Sequence, residues 1–259
     1  MEKKTTNNFI SLNGHIVPKP EGLDCSLEGG KVYALLHERA SDEMYLKEDK
    51  DFEFPTLYYL DDKDKKLIDK SINTFKNTDK MTTGVLLSGL KGSGKTLLAK
   101  KIAKKSGLPI IVVDKDVCAS DIENFFANMT TEVCVMFDEI DKYWNTRYLL
   151  GFLDGVKPTC KKLVIATCNN EKEIDAYLND RCSRIRYKKT FKGLIKEVVS
   201  SVINDIINNK DKADAAAEYF CGNVETVSYD NAIIFAEEIK NNPNDSFDEI
   251  MEFLNISKK

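Results

Sequence analysis

The stretch that most constrains this chain is Gly89-Leu90-Lys91-Gly92-Ser93-Gly94-Lys95-Thr96, a glycine, four free positions and then Gly-Lys-Thr. Its setting has the form a phosphate-binding loop needs. Val85-Leu86-Leu87-Ser88 reads as a short buried strand entering it, and Leu97 to Ser106 as a helix leaving it. Glycine lets the backbone turn tightly enough for its N–H groups to converge on phosphate oxygens. The positive end of the following helix dipole adds to the same spot. Gly89, Gly92, Ser93, Gly94, Lys95, Thr96 and Leu97 are therefore expected to hold a nucleoside triphosphate. Lys95 would reach the β- and γ-phosphates, and the Thr96 hydroxyl would hold Mg²⁺.

A hydrolysing site also needs carboxylates. Val133 to Phe137 reads as a strand whose C-terminal end delivers Asp138 and Glu139, where ligands sit in open α/β sheets. Asp138 can take the metal and Glu139 can polarise the attacking water. An adjacent Asp-Glu pair argues for ATP hydrolysis and against the GTPases and small-molecule kinases, which usually lack this Glu.

Around these motifs the chain alternates strand and helix. Pro109–Val113, Val133–Phe137, Leu163–Ala166 and a last strand with Ile185 and Tyr187 are apolar runs suited to a covered parallel sheet. Asp61–Lys76 reads as a helix with Leu67, Ile68, Ile72 and Phe75 on one face. Ser120 and Glu123 have capping-box spacing at a helix start, and Phe125 and Phe126 fit a core face. After Thr190 strands give way to helices at Ile195–Ile207, Asp211–Phe220, Tyr229–Lys240 and Phe247–Leu254, the last capped by Ser246 and Glu249. Lys31–Leu36 and Glu43–Lys47 look like strands in a region punctuated by Gly and Pro. The expected architecture is α/β: a doubly wound parallel sheet of the P-loop NTPase type (61–190), a small helical lid domain (191–259) and a small β-rich N-terminal extension (1–60).

Charge distribution sharpens this. The net charge of −4 divides as −3 over residues 1–80, +5 over 81–190 and −6 over 191–259. The positive middle suits polyphosphate and leaves contact with nucleic acid open. Seven cysteines without paired metal-ligand spacing, several inside apolar runs, fit buried thiols and a cytoplasmic setting. No leader-like N-terminus and no membrane-length apolar run is evident.

Val-Cys-Val-Met-Phe-Asp-Glu-Ile-Asp following Gly-Leu-Lys-Gly-Ser-Gly-Lys-Thr resembles the AAA+ ATPase superfamily. Leu163 to Asn169 resembles the sensor-1 strand, whose terminal Asn, here Asn169, helps position water near the γ-phosphate. Tyr148–Gly155 resembles the Leu-rich, Asp-Gly segment of the AAA clade, and Arg181-Cys182-Ser183-Arg184 has the spacing of its paired arginine fingers. The Leu-Asp-Gly segment and the short span between second and third strands also resemble the mitochondrial AAA translocase of a folded iron–sulfur protein.

The resemblance implies a five-stranded parallel sheet with a helical lid. It also implies a homo-oligomer, a hexameric ring, with ATP bound between subunits and Arg181 and Arg184 reaching the neighbour's γ-phosphate. Only five of the 38 basic residues are arginine, and Arg181, Arg184 and Arg186 fall within six positions. That local choice suits a need for a rigid guanidinium fork, the alternative being a basic edge strand. Two features depart from the family. Residues 191–259 contain no arginine for a sensor-2 role, and Asp114–Ser120 contains no aromatic of the kind protein-threading machines use as a grip. The expected partner is a protein substrate or adaptor. Nucleic acid, or a role as a nucleotide-switched scaffold, stands as the alternative.

Overall fold

The computed structural model describes residues 9–12, 14–18, 26–38, 43–55, 59–127, 129–142, 152–153, 160–170 and 185–259. In sequence order the strands are β1 (Phe9–Leu12), β2 (His15–Pro18), β3 (Val32–Glu38), β4 (Glu43–Glu48), β5 (Thr82–Gly89), β6 (Ile110–Val113), β7 (Val133–Phe137), β8 (Lys162–Cys168) and β9 (Ile185–Phe191). The helices are α1 (Asp62–Asn77), α2 (Lys95–Ser106), α3 (Ala119–Ala127), α4 (Lys196–Ile207), α5 (Lys210–Asn223), α6 (Tyr229–Asn241) and α7 (Phe247–Phe253).

Within the described residues the strands form one sheet, in the order β1-β2-β4-β3-β6-β7-β8-β5-β9. From β6 to β9 it is parallel, the five strands expected of the central domain. Because successive side chains point to opposite faces, Leu86 packs on one side while Val85 and Leu87 pack on the other. One face is covered by α1 and α2 through Ile68, Ile72, Phe75, Leu98 and Ile102. The other face receives Ile122, Phe125 and Phe126 of α3, so both phenylalanines are core residues. Cys134, Cys160 and Cys168 are buried and in no disulfide.

The N-terminal strands are not a separate layer. The two predicted strands are β3 and β4, and β3 lies parallel to β6, with Val32 beside Ile110 and Leu35 beside Val113. Strand β6 is apolar throughout and would otherwise present an unpaired edge, a template for aggregation. β3 covers that edge, and Leu35 and Leu46 are wholly buried in the same core as Phe125. Ring contact between Phe9 and Phe125, at 5.8 Å, ties the outermost strand to α3.

Past Phe191 the four helices α4–α7 enclose their own core around Val202, Ile203, Phe220 and Phe235. Ser246 and Glu249 form the expected capping box. The one predicted for Ser120 is displaced: α3 begins at Ala119 with Cys118 O accepting from Asp121 and Ile122 N–H, so Ser120 lies inside the helix. No helix among the described residues is long and apolar enough to cross a membrane.

Candidate nucleotide site

The parallel strands end together, and the loop between β5 and α2 closes over their C-terminal edge. Two glycines are required by position. Gly89 has φ +116°, and a Cβ there would lie 2.1 Å from Phe191 O of β9. Gly92 has φ +71°, its carbonyl accepts the Tyr229 N–H at 3.0 Å, and a Cβ would meet Asp230 Oδ2 at 3.1 Å. Gly94, also left-handed, is the N-cap of α2. Ser93 is buried, its hydroxyl donating to Leu90 O at 2.5 Å. Lys95, only 5% exposed, donates its Nζ to Gly89 O at 2.8 Å and Leu90 O at 2.6 Å. Burial lowers its pKa. The cation is thus held within the loop that an anion would enter.

Strands β7 and β8 supply the facing wall. Thr96 Oγ1 donates to Asp138 Oδ1 at 2.9 Å, joining the first turn of α2 to the end of β7. Thr167 Oγ1 donates to the same oxygen at 2.6 Å and accepts the Glu139 N–H at 2.8 Å. Glu139 has φ +56°, an unusual backbone for a non-glycine residue. Its Oε1 accepts from Asn169 Nδ2 at 2.9 Å, and its Oε2 accepts from Lys142 Nζ at 2.6 Å and Lys115 Nζ at 2.9 Å. Lys142, Lys115 and Asn169, in that order, hold the Glu139 carboxyl down at about 2. Asn169 is itself oriented by its N–H bond to Asp141 Oδ1 at 3.2 Å.

Lys91, Gly92, Gly94, Lys95, Thr96 and Leu97 line a cleft of about 250 Å³ together with Glu139, Thr167 and Asn169. Most of the residues predicted to bind nucleotide therefore meet at this cleft with Glu139 and Asn169, while Asp138 is joined to it through Thr96 and Thr167, Gly89 through Lys95, and Ser93 lines the neighbouring cavity. Arg181 and Arg184 lie outside the described residues, as does the Tyr148–Gly155 segment apart from Phe152 and Leu153, which are core.

Thr167, Lys115, Lys142 and Tyr229 are not singled out by sequence reasoning. Thr167 had a signal: it lies near the end of the strand that leads into Asn169, two positions before it. Lys142 is three residues beyond Glu139, whereas Lys115 reaches Glu139 from another strand end and leaves no local trace.

The donors fit Mg²⁺. Thr96 Oγ1 and Asp138 Oδ1 are hard oxygens 2.9 Å apart. Adjacent ligands of an octahedral ion with bonds of about 2.0–2.1 Å are separated by about the same distance.

Residues 85–190 match the profile of the ATPase family associated with various cellular activities (AAA). That stretch of the chain is an AAA domain. Over 127 residues the chain is 30% identical to the ATP-dependent zinc metalloprotease FtsH 3 of Conexibacter woesei, a stretch that is 38% of the chain and 17% of that relative's length. Among solved structures its fold is similar to the RuvB Holliday junction branch migration motor of Thermotoga maritima, with a TM-score of 0.57 at 17% identity, covering 76% of this protein and 70% of that one. A mutant form of the same motor matches likewise, with a TM-score of 0.57 at 17% identity over 76% of this protein and 71% of that one. The likeness to RuvB is one of fold.

Proposed function

We propose that this protein hydrolyses ATP in the cleft between the phosphate loop and the ends of β7 and β8. The observation that carries the proposal is the convergence of Lys95, the Thr96–Asp138–Thr167 cluster and the Glu139–Asn169 pair on one cleft. Loop N–H groups and Lys95 take the β- and γ-phosphates, Lys95 leaving the two loop carbonyls to do so. Thr96 and Asp138 would hold Mg²⁺, which supplies neutralisation of phosphate charge. Asn169 holds Glu139 toward the cleft, where its carboxylate orients water for attack on the γ-phosphoryl group.

Glu139 is a feeble base while Lys115 and Lys142 share its carboxylate. Release of those two ammonium groups is therefore part of reaching the active arrangement. Lys115 follows β6, in the segment that leads to α3, so a partner pressing on that segment can set the rate.

The site is completed by a neighbour. In this reading Arg181 and Arg184 act in trans within a homo-oligomeric ring, and turnover remodels a protein substrate or complex. Several of the lysines that could favour nucleic acid are answered within the molecule. Lys104 pairs with Asp51 at 2.6 Å and Lys105 with Asp69 at 2.7 Å. Lys189 pairs with Asp64, Lys196 with Glu218, and Lys100 and Lys101 lie over Phe52 and Phe54. Lysines already paired with carboxylates offer less to the phosphates of a duplex.

Two variants test the site. Lys95→Ala should lose ATP binding, and Glu139→Gln should bind ATP while releasing no phosphate. Equal turnover by Glu139→Gln and wild type would remove Glu139 from its role.

A further inference from the structure

One residue joins the lid to the phosphate loop and to the segment that precedes α1. Tyr229 opens α6, and its N–H is the group bonded to Gly92 O. Its side chain runs to Tyr59, where the hydroxyl donates to Tyr59 O at 2.8 Å and accepts the Tyr59 N–H at 3.3 Å. A single phenol, 7% exposed, thus satisfies both backbone polar groups of Tyr59.

Tyr229 is also the residue common to the linings of two cavities. The first is the phosphate cleft. The second, about 550 Å³, runs beside it and is lined by Tyr59, Leu67, Ser93, Phe191, Ile195 and Val198 among others. Ser93 belongs to the phosphate loop, so the second cavity begins where the first ends. Tyr59, Leu67, Phe191, Ile195 and Val198 give it an apolar wall, Ile195 being 52% exposed, and Asp61, Asp64, Lys188 and Lys189 are among the charged residues that complete the lining.

A nucleoside triphosphate held by its phosphates needs a flat apolar slot next to them, with a polar group for the base edge. Adenine presents its N6 amino donor beside a ring-nitrogen acceptor. A backbone C=O and N–H of one residue answer that pair, and the Tyr229 hydroxyl presents the same donor and acceptor to Tyr59.

We infer that the Tyr229 hydroxyl occupies the seat of the adenine edge, so that the Tyr229–Tyr59 contact and a bound base exclude one another. The inference rests on the ATP reading of the phosphate cleft. Adenine binding then costs the two Tyr229–Tyr59 hydrogen bonds and moves the first residue of a lid helix. The base thereby reports its presence to the lid, and the phosphates alone do not.

Calorimetric titration of the full-length protein with Mg-ATP and with inorganic tripolyphosphate separates these parts. Tyr229→Phe removes the competing hydroxyl. With net values of about 0.5–1.5 kcal/mol for each of the two hydrogen bonds, it should bind ATP about five- to 150-fold tighter. Tripolyphosphate, which has no base, should bind both proteins equally. Tyr229→Ala, which clears the ring as well, should tighten ATP at least as much. ATP affinity that is unchanged or weaker in both variants would show a strap between linker and lid and overturn the inference, as would an equal gain for tripolyphosphate. A wild-type protein that binds neither ligand contradicts the ATP reading itself. One that binds ATP with an affinity the variants leave unchanged contradicts only the role of Tyr229.

Discussion

Replacing Thr167 with valine should disable the site while leaving its outline intact. Thr167 is 1% exposed, and its hydroxyl is placed between the two carboxylate residues, donating to Asp138 Oδ1 at 2.6 Å and accepting from the Glu139 N–H at 2.8 Å. Valine has the same shape but neither function. Loss of the bond to the Asp138 carboxylate costs about 1.5–3 kcal/mol, and a buried N–H left without an acceptor costs about 1–3 kcal/mol more. The second loss matters for geometry. Glu139 sits at φ +56°, a conformation worth about 1–3 kcal/mol of strain that persists only while neighbours hold it. Without Thr167 the peptide can relax and carry the carboxylate away from Asn169. If only the charged bond is expressed in the transition state, at about 1.36 kcal/mol per tenfold, kcat falls about 10- to 100-fold. Thr167→Ser keeps the hydroxyl and should keep most of the activity. The assay is steady-state phosphate release, with urea unfolding to read stability. A Thr167→Val protein with wild-type kcat and wild-type stability would refute the reasoning.

Two further outcomes follow from Glu139. Lys115→Ala takes away one of the two ammonium groups on Oε2, so the Glu139 pKa should rise and basal phosphate release should increase by severalfold; a rate unchanged or lowered would show that Lys115 is no brake. For stability the sign is fixed by the depressed pKa. Glu139 sits at about 2 in the folded protein against an ordinary 4.5, so its contribution is full above the unfolded value and is lost as pH falls from about 4.5 towards 2. Chemical denaturation between pH 6 and 3 should show wild type losing more stability than Glu139→Gln, and parallel curves would contradict the ion-pair account.

How far the sequence reveals this molecule depends on where each signal lives. The phosphate loop is local: Gly89, Gly92, Gly94, Lys95 and Thr96 carry their backbone and side-chain requirements within eight residues, and the last four meet around one cleft. Asp138, Glu139 and Asn169 are legible for the related reason that apolar strands announce their own C-terminal ends. The pairing of β3 with β6 is not legible, because Val32–Leu35 and Ile110–Val113 are far apart in sequence and neither pattern names a partner. Lys115 and Tyr229 escape for the same cause, since each acquires its contact only through the fold. The displaced start of α3 is a smaller case, in which backbone contacts to Cys118 O decide the boundary rather than the Ser120/Glu123 spacing.

The central claim is that ATP is hydrolysed at a site shared between copies of this protein. On the proposal made above, a single copy would hold the phosphates through Lys95, Thr96 and Asp138 and would take its arginines, Arg181 and Arg184, from a neighbour. An arginine supplied in trans is worth roughly 10³–10⁵ in rate. The direct measurement is phosphate release per subunit as a function of protein concentration, repeated for an equimolar mixture of the Arg184→Ala and Lys95→Ala variants. With a shared site, specific activity rises with concentration, each variant alone is nearly inactive, and the mixture regains activity where an intact cleft meets an intact arginine. Specific activity independent of concentration, together with a mixture no more active than its components, would contradict it.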